Sequence, residues 1–173
     1  MTDAGHDLSE LRGQRVLLRP LETGDAEGLR AIRALREVAD RWGPLEDEFP
    51  WEEPTAARLS ILIGGELAGM IQFTEENERD YRHVEVDIFL APAWHGQGHG
   101  TDAMTTLVDY LTTARGHHRV ILGTAIDNAA ALRCYEKAGF QRVGVTRRSG
   151  RDFRTGEFAD EWFLEYVVPA QAG

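Results

Sequence analysis

Val84 to Thr101 reads VEVDIFLAPAWHGQGHGT. Its first half alternates. In an extended chain Val84, Val86, Ile88 and Leu90 fall on one face, and Glu85, Asp87 and Phe89 on the other. Pro92 ends the strand. Gly96-Gln97-Gly98-His99-Gly100-Thr101 follows, and then Met104, Leu107, Val108 and Leu111 recur at helical spacing. The order is a strand, a glycine-spaced loop and a helix start. A helix N-terminus carries unpaired N–H groups and partial positive charge, so it suits a phosphate, and glycines let the backbone come close to the anion. The loop lacks the Gly-Lys-Ser/Thr ending of a Walker motif. A dinucleotide fingerprint begun at Gly96 would require glycine where Thr101 stands. Taken alone, the loop is either a phosphate cradle beside a strand-borne acid or a simple turn.

A second stretch, Asp127 to Phe140, reads DNAAALRCYEKAGF after a β-rich segment at 119–124. Asp127 or Asn128 can cap a helix, Gly139 can end it, and Phe140 starts a new apolar run. The glycine loop and helix, followed by this strand and N-x-x-A-x-x-x-Y-E-K-x-G-F, resemble the GNAT superfamily of acetyl-CoA-dependent N-acyltransferases. The resemblance is strong from Gly69 to Val143. It implies an α/β fold with a mixed, mostly antiparallel sheet, flanked by helices and splayed near Leu90 to admit the pantetheine arm. It implies that the backbone of Gly96, Gln97, Gly98, His99, Gly100 and Thr101 holds the coenzyme A pyrophosphate, with His95 at an adjoining cofactor-binding position. Ile88, Phe89 and Leu90 would meet the pantetheine and thioester through main-chain groups, and Asn128 would meet the pantetheine. Tyr135 would protonate the leaving thiolate. His95 stands where arginine or glutamine is usual.

Acetyl transfer to an amine needs a group that takes a proton from the ammonium, donors for the developing oxyanion and an acid for the thiolate. Asp87, mid-strand in an apolar run, is the candidate for the amine. Its other reading is a structural carboxylate paired with an arginine across the sheet. Glu85 shares its face, and two neighbouring carboxylates raise one pKa. Tyr135 is either the thiolate's acid or a packed helix tyrosine. Cys134 reads as a packed small residue.

Gly69-Met70-Ile71-Gln72-Phe73, an acidic turn, Val86 to Leu90 and Gly98 to Thr101 further resemble the aminoglycoside 6'-N-acetyltransferases. That likeness implies a polycationic drug acetylated at its 6'-amine, with Asp87 at the acceptor and loop acids and aromatics around it. Trp51, Glu75, Glu76 and Glu85 are the expected substrate contacts, with Trp42, Glu78 and Asp80 in the same segments. Individually these acids also fit a solvated surface. The alternatives are a protein N-terminal or ribosomal-protein acetyltransferase, a siderophore-type acyltransferase, or a domain that binds acetyl-CoA without turnover.

The length, 173 residues, suits one GNAT domain over 1–173, with 1–13 expected as a loosely ordered N-terminal segment. A net charge of −10 argues against nucleic acid and favours cationic partners. No run approaches the ~20 apolar residues of a membrane span. The polar N-terminus does not read as a signal peptide, and the lone cysteine excludes an internal disulfide. The expectations are a cytoplasmic monomer or homodimer using acetyl-CoA, with no metal. The pattern predicts one helix carrying Leu29, Ile32 and Leu35, an irregular segment over 39–54 and a hairpin at Gly64-Gly65.

Overall fold

An eight-stranded sheet organises the computed structural model, which describes residues 8–51 and 55–170. The strands are β1 (Leu11–Arg12), β2 (Leu17–Pro20), β3 (Ala57–Ile63), β4 (Glu66–Glu76), β5 (His83–Leu90), β6 (Arg119–Ala125), β7 (Gln141–Arg151) and β8 (Phe158–Val167). They lie in the order β1-β2-β3-β4-β5-β6-β8-β7, antiparallel throughout except for β5 beside β6. The helices are α1 (Ala26–Arg33), α2 (Arg36–Trp42), α3 (His99–Asp109), which runs on as a wider turn over Tyr110–Ala114, and α4 (Ala129–Lys137). This is the mixed, mostly antiparallel α/β sheet expected of the GNAT fold.

The period-2 pattern of β5 is realised as read. Val84, Val86 and Leu90 join the main core with Ile71, Phe73, Met104, Leu107, Leu111, Val120 and Leu132. Phe89 faces the opposite layer, packed with Met70, Leu29, Ile32, Val38 and Phe49. Helices α3 and α4 therefore cover one face of the sheet and α1 with α2 the other.

The site depends on where one pairing stops. β5 and β6 are in register only at Val84↔Val120 and Glu85↔Ile121. Beyond that point β5 runs on to Leu90 and β6 to Ala125, and the sheet opens as a wedge. Ala91 donates to the Ala68 carbonyl across the β4 side. Alternation along this antiparallel pair turns the backbone groups of Asp87 and Phe89 towards β4. It leaves those of Ile88 and Leu90 facing the wedge.

Several boundaries differ from the sequence expectation. The helix expected through Leu35 breaks there, because Leu35 is extended (φ −63°, ψ 136°) and 42% exposed. A second helix, α2, follows, beginning ahead of the 39–54 segment expected as a loop or short irregular helix. Arg33 explains the return: it is buried, it donates to the carbonyls of Trp42, Gly43 and Pro44, and it lies over the rings of Trp42 and Phe49. Its charge meets the negative end of α2. At the N-terminus, Leu11–Arg12 pair with Leu17 and Leu18, so part of the segment expected to be loose is strand. Residues 1–7, and Glu52 and Glu53 of the acidic loop, lie outside the described residues.

Candidate active site

A cleft of about 1140 Å³ fills the wedge. Its walls are α2, the end of β5, the loop into α3, the end of β6 with α4, and the β7–β8 hairpin. Most residues expected in the site meet here: Asp87, Ile88, Phe89, Leu90, His95, Gly96, Gly98, Gly100, Thr101, Asn128 and Tyr135 all line it.

The cofactor half is built from backbone. Gly98 caps α3 in a left-handed conformation (φ 85°) that a side chain would strain. The first helical bond is Asp102 N–H to the Gly98 carbonyl, so the N–H groups before it stand outside the helix ladder. At Gly100 an added Cβ would come within 3.2 Å of Cys134 Sγ, which keeps α3 and α4 close. The loop is tied on both sides. His95 Nε2 bonds the Leu90 carbonyl at 2.8 Å, and Arg15 Nη1 donates to the Gln97 carbonyl at 2.7 Å. Asp102 holds the opposite flank by accepting from the N–H groups of Gln14, Arg15 and Val16. Such a cradle fits the pyrophosphate of coenzyme A through main-chain donors.

Two expected side chains are placed elsewhere. Gln97 donates to the Ala93 carbonyl, and His99 is buried edge-on against Trp94. Any role they have in the cradle is one of backbone. Phe89 lines the cleft, but its ring meets Trp42 edge-on at 4.9 Å and its main chain faces β4. Asn128 caps α4 by accepting from Ala131 N–H at 3.3 Å, which leaves its amide N–H groups as donors.

Asp87 lies just past the last β5–β6 pair. Solvent reaches the residue from the cleft, yet protein crowds its carboxyl group. That crowding, ahead of the neighbouring charge of Glu85, raises it from the ordinary 3.8 to about 7. The Ile88 N–H, donated to Oδ1 at 2.9 Å, opposes the rise. Among the described residues no arginine forms an ion pair with Asp87, although the charge of Arg33 acts on it and also opposes the rise. Tyr135 is buried, and burial, followed by the Asp87 charge, pushes its phenol above the ordinary value. It stays a neutral O–H donor. Burial likewise raises the Cys134 thiol, which suits a packed residue and not a thiolate.

The expected acceptor contacts are redistributed. Glu75 is the clearest correction. It belongs to β4, on the face opposite Asp87, where its 5% exposed side chain binds Arg115 at 2.7 Å and His117 at 2.6 Å. These bonds overcome its burial and hold it down to about 2. It ties the end of α3 to the sheet. Glu76 shares the Asp87 face but pairs with His83, four residues along, on the order of 13 Å away by strand rise. Trp51 is exposed and outside the cleft wall, as is Glu85, although Glu85 is close enough to act on Asp87. Trp42 does line the cleft.

The acids that reach the cleft come instead from α2 (Glu37, Asp40) and the last hairpin (Asp152, Asp160, Glu161). The signal for the hairpin's part was Asp160-Glu161, an acidic pair near the start of the final strand. A clasp closes the rim. Asp127 accepts from Arg41 of α2 and Arg154 of the hairpin, both at 2.7 Å, and Arg154 also binds Asp152. Phe153 packs on Gly43, where an added Cβ would fall 2.7 Å from its ring.

The model of the acetyltransferase (GNAT) family matches residues 26–140. The chain belongs to the GNAT family of acetyltransferases. It is an acyltransferase, with acetyl-CoA as cosubstrate. It is 26% identical over 160 residues to the L-amino acid N-acetyltransferase AaaT of Escherichia coli, covering 88% of this chain and 98% of that one. It is 32% identical over 146 residues to the N-alpha-acetyltransferase RimI of Mycobacterium tuberculosis, covering 81% and 90%. To the spermidine N(1)-acetyltransferase of Vibrio cholerae it is 27% identical over 141 residues, covering 75% and 81%. A structure of spermidine N-acetyltransferase from V. cholerae with CoA and spermine superposes with a TM-score of 0.74 at 22% identity, over 88% of this chain and 95% of that one. The aminoglycoside acetyltransferase AAC(6')-Ib with paromomycin and acetyl-CoA superposes with a TM-score of 0.73 at 22% identity, over 92% and 99%. The GNAT fold is common to all of these, while the acceptors named for them differ.

Proposed function

We propose that this GNAT enzyme acetylates a primary amine of a polycationic small molecule, with the 6'-amine of an aminoglycoside as the specific acceptor. The observation that carries this reading is the acceptor half of the cleft. Asp87 and Glu161 line it without an ion pair among the described residues, and Glu37 and Asp160 add negative charge at its edge. The clasp from Arg41 to Arg154 bridges α2 and the hairpin across the rim, which favours a compact acceptor over a long chain.

Acetyl-CoA supplies an activated acyl group and a thiolate that leaves readily. The chain's own groups do the rest. The loop before α3 holds the pyrophosphate through N–H donors, and the open edge at Ile88 and Leu90 aligns the thioester arm in the wedge. Asp87, poised near neutrality, takes the proton that the ammonium must lose before attack. The Ile88 N–H faces the wedge; it is held by Asp87 Oδ1 here and would have to leave that carboxylate to meet the negative charge that develops on the thioester oxygen. The Tyr135 phenol, held neutral, gives a proton to the departing sulfur.

A second reading is an α-amine acceptor, an amino acid or a peptide N-terminus, favoured by the relationships to AaaT and RimI. It requires a cation for the acceptor's carboxylate or a groove for a chain. Arg41 and Arg154 at the rim are already committed to Asp127, which leaves Arg151 of the hairpin as the cation such a carboxylate would meet. Thiol release from acetyl-CoA, measured against spermidine, 6'-amino and 6'-hydroxy aminoglycosides, L-amino acids and N-terminal peptides, decides between them. The 6'-amino drugs are expected to turn over and their 6'-hydroxy analogues not. Turnover of peptide N-termini or amino acids with none of any polycation would overturn the proposal.

A further inference from the structure

Two carboxylates of the hairpin line the cleft with no ion pair among the described residues: Asp160, which accepts from the Arg148 N–H, and Glu161, which is held by a hydroxyl. Glu161 lies on β8 opposite Ala125 of β6. Residue parity from Glu85↔Ile121 to Ala125↔Glu161 places it on the same face of the sheet as Asp87, across the wedge. The backbone distance is at least about 12 Å, from two strand spacings and a two-residue offset.

Strand β7 bends to make room for it. The register of β7 against β8 shifts between Thr146 and Gly150, and within that bulge Arg148 takes a left-handed conformation (φ 52°). The result brings Ser149 Oγ to Glu161 Oε2 at 3.0 Å. It also seats Gly150 so close that an added Cβ would fall 2.3 Å from Glu161 Oε1. On the other side is Gly123 of β6, whose missing side chain leaves the cleft open between Glu161 and Asp87. Only a neutral hydroxyl donates to this carboxylate. Asp25, Glu75, Asp127, Asp152 and Glu165 each have an arginine partner, and among the described residues Glu161 has none. A fixed, unneutralised carboxylate on the wall of an open cavity is a receptor for a cation.

We infer that Glu161 binds a second positive centre of the acceptor while the reacting amine lies at Asp87, so that the enzyme selects acceptors with two or more ammonium groups spaced across the wedge. The inference rests on the acceptor reading above and adds the residue that enforces it. A single-charge amine engages only the Asp87 end and is positioned less well. An amino acid brings its carboxylate towards Glu161 and is repelled.

The test is a ratio. kcat/KM is measured for spermidine and for glycinamide, which carries one ammonium group, in the wild type and in Glu161→Gln. The acetyl-CoA KM of each variant reports that the fold and cradle are intact. The spermidine-to-glycinamide ratio is expected to fall about tenfold in Glu161→Gln, the worth of one charge-assisted contact, chiefly through the spermidine KM. Glu161→Asp should recover part of it. A ratio that stays the same, whether both acceptors weaken together or neither does, overturns the inference while leaving the polycation reading standing. If the wild type uses glycinamide and peptides but no polycation, both fall.

Discussion

Asp87 carries opposed demands that give it two separable signatures. Its carboxyl titrates near 7 because crowding by protein, ahead of the Glu85 charge, disfavours the ionised form. Between the ordinary 3.8 and about 7 the folded chain holds a proton that the unfolded chain releases. This group therefore lowers stability as pH rises through that window, and its effect is constant above it. Asp87→Asn removes the penalty, so its melting temperature relative to wild type should be higher at pH 8 than at pH 4. A variant less stable than wild type by the same amount at both values would refute this account. In catalysis the sign reverses, because only the ionised form accepts a proton. Wild-type kcat/KM for a polyamine should climb with pH through a limb near 7. Asp87→Asn should lose that limb and fall by roughly 10²-fold or more, with the coenzyme A affinity retained. The charges of Glu85 and Glu161 both act on Asp87 and help to raise it. Tyr135→Phe should cost less than Asp87→Asn, because a thiolate leaves without much help. A larger loss would exchange the ranking of the two roles.

Elements were legible in the sequence to the extent that one local rule governed them. Alternation placed Asp87 and Phe89 on one face of β5, helical spacing placed α3, which begins at His99, two residues ahead of the Thr101 expected, and Gly139 bounded α4. Both halves of the cofactor cradle follow from these local signals. The acceptor half was not legible, because it is assembled by pairing. Glu75 looked like part of an acidic turn, yet β4 continues through it and parity turns it to the far face, under Arg115 and His117. Glu161 carries no local mark of a site, because nothing in the nearby sequence shows the bulge in β7. Helix α2 was hidden because its docking depends on Arg33, eleven residues before Pro44, reaching forward to the helix end. The contrast gives a prediction about elements. Glu75→Gln should lower the unfolding free energy by roughly 2–4 kcal/mol, as expected for breaking a mostly buried ion pair. Chemical denaturation would measure it. Acetyl-CoA and acceptor KM values should stay at wild type. A raised acceptor KM in a stable Glu75→Gln protein would return this residue to the acceptor site.

The whole molecule carries a net charge of −10, and the two substrates carry opposite charges. A polycationic acceptor is drawn in by the summed field, which the wedge concentrates between Asp87 and the hairpin acids. Acetyl-CoA, an anion, must approach the same protein against that field and is retained by N–H donors at close range. Salt screens the long-range part within ~8–10 Å near physiological strength and leaves the close hydrogen bonds nearly intact. Added sodium chloride should therefore raise the apparent KM for spermidine or a 6'-amino aminoglycoside. The acetyl-CoA KM should stay level or fall. The slope of log KM for the polycation against log salt should lessen in Glu161→Gln, where one of the attracting charges is gone. Steady-state kinetics from about 20 to 300 mM salt, spanning Debye lengths from roughly 20 Å to 6 Å, would read both trends. If the two KM values rise in parallel, the field of the molecule is not selecting the acceptor. The discrimination would then have to reside in contacts at the Asp87 end of the cleft alone.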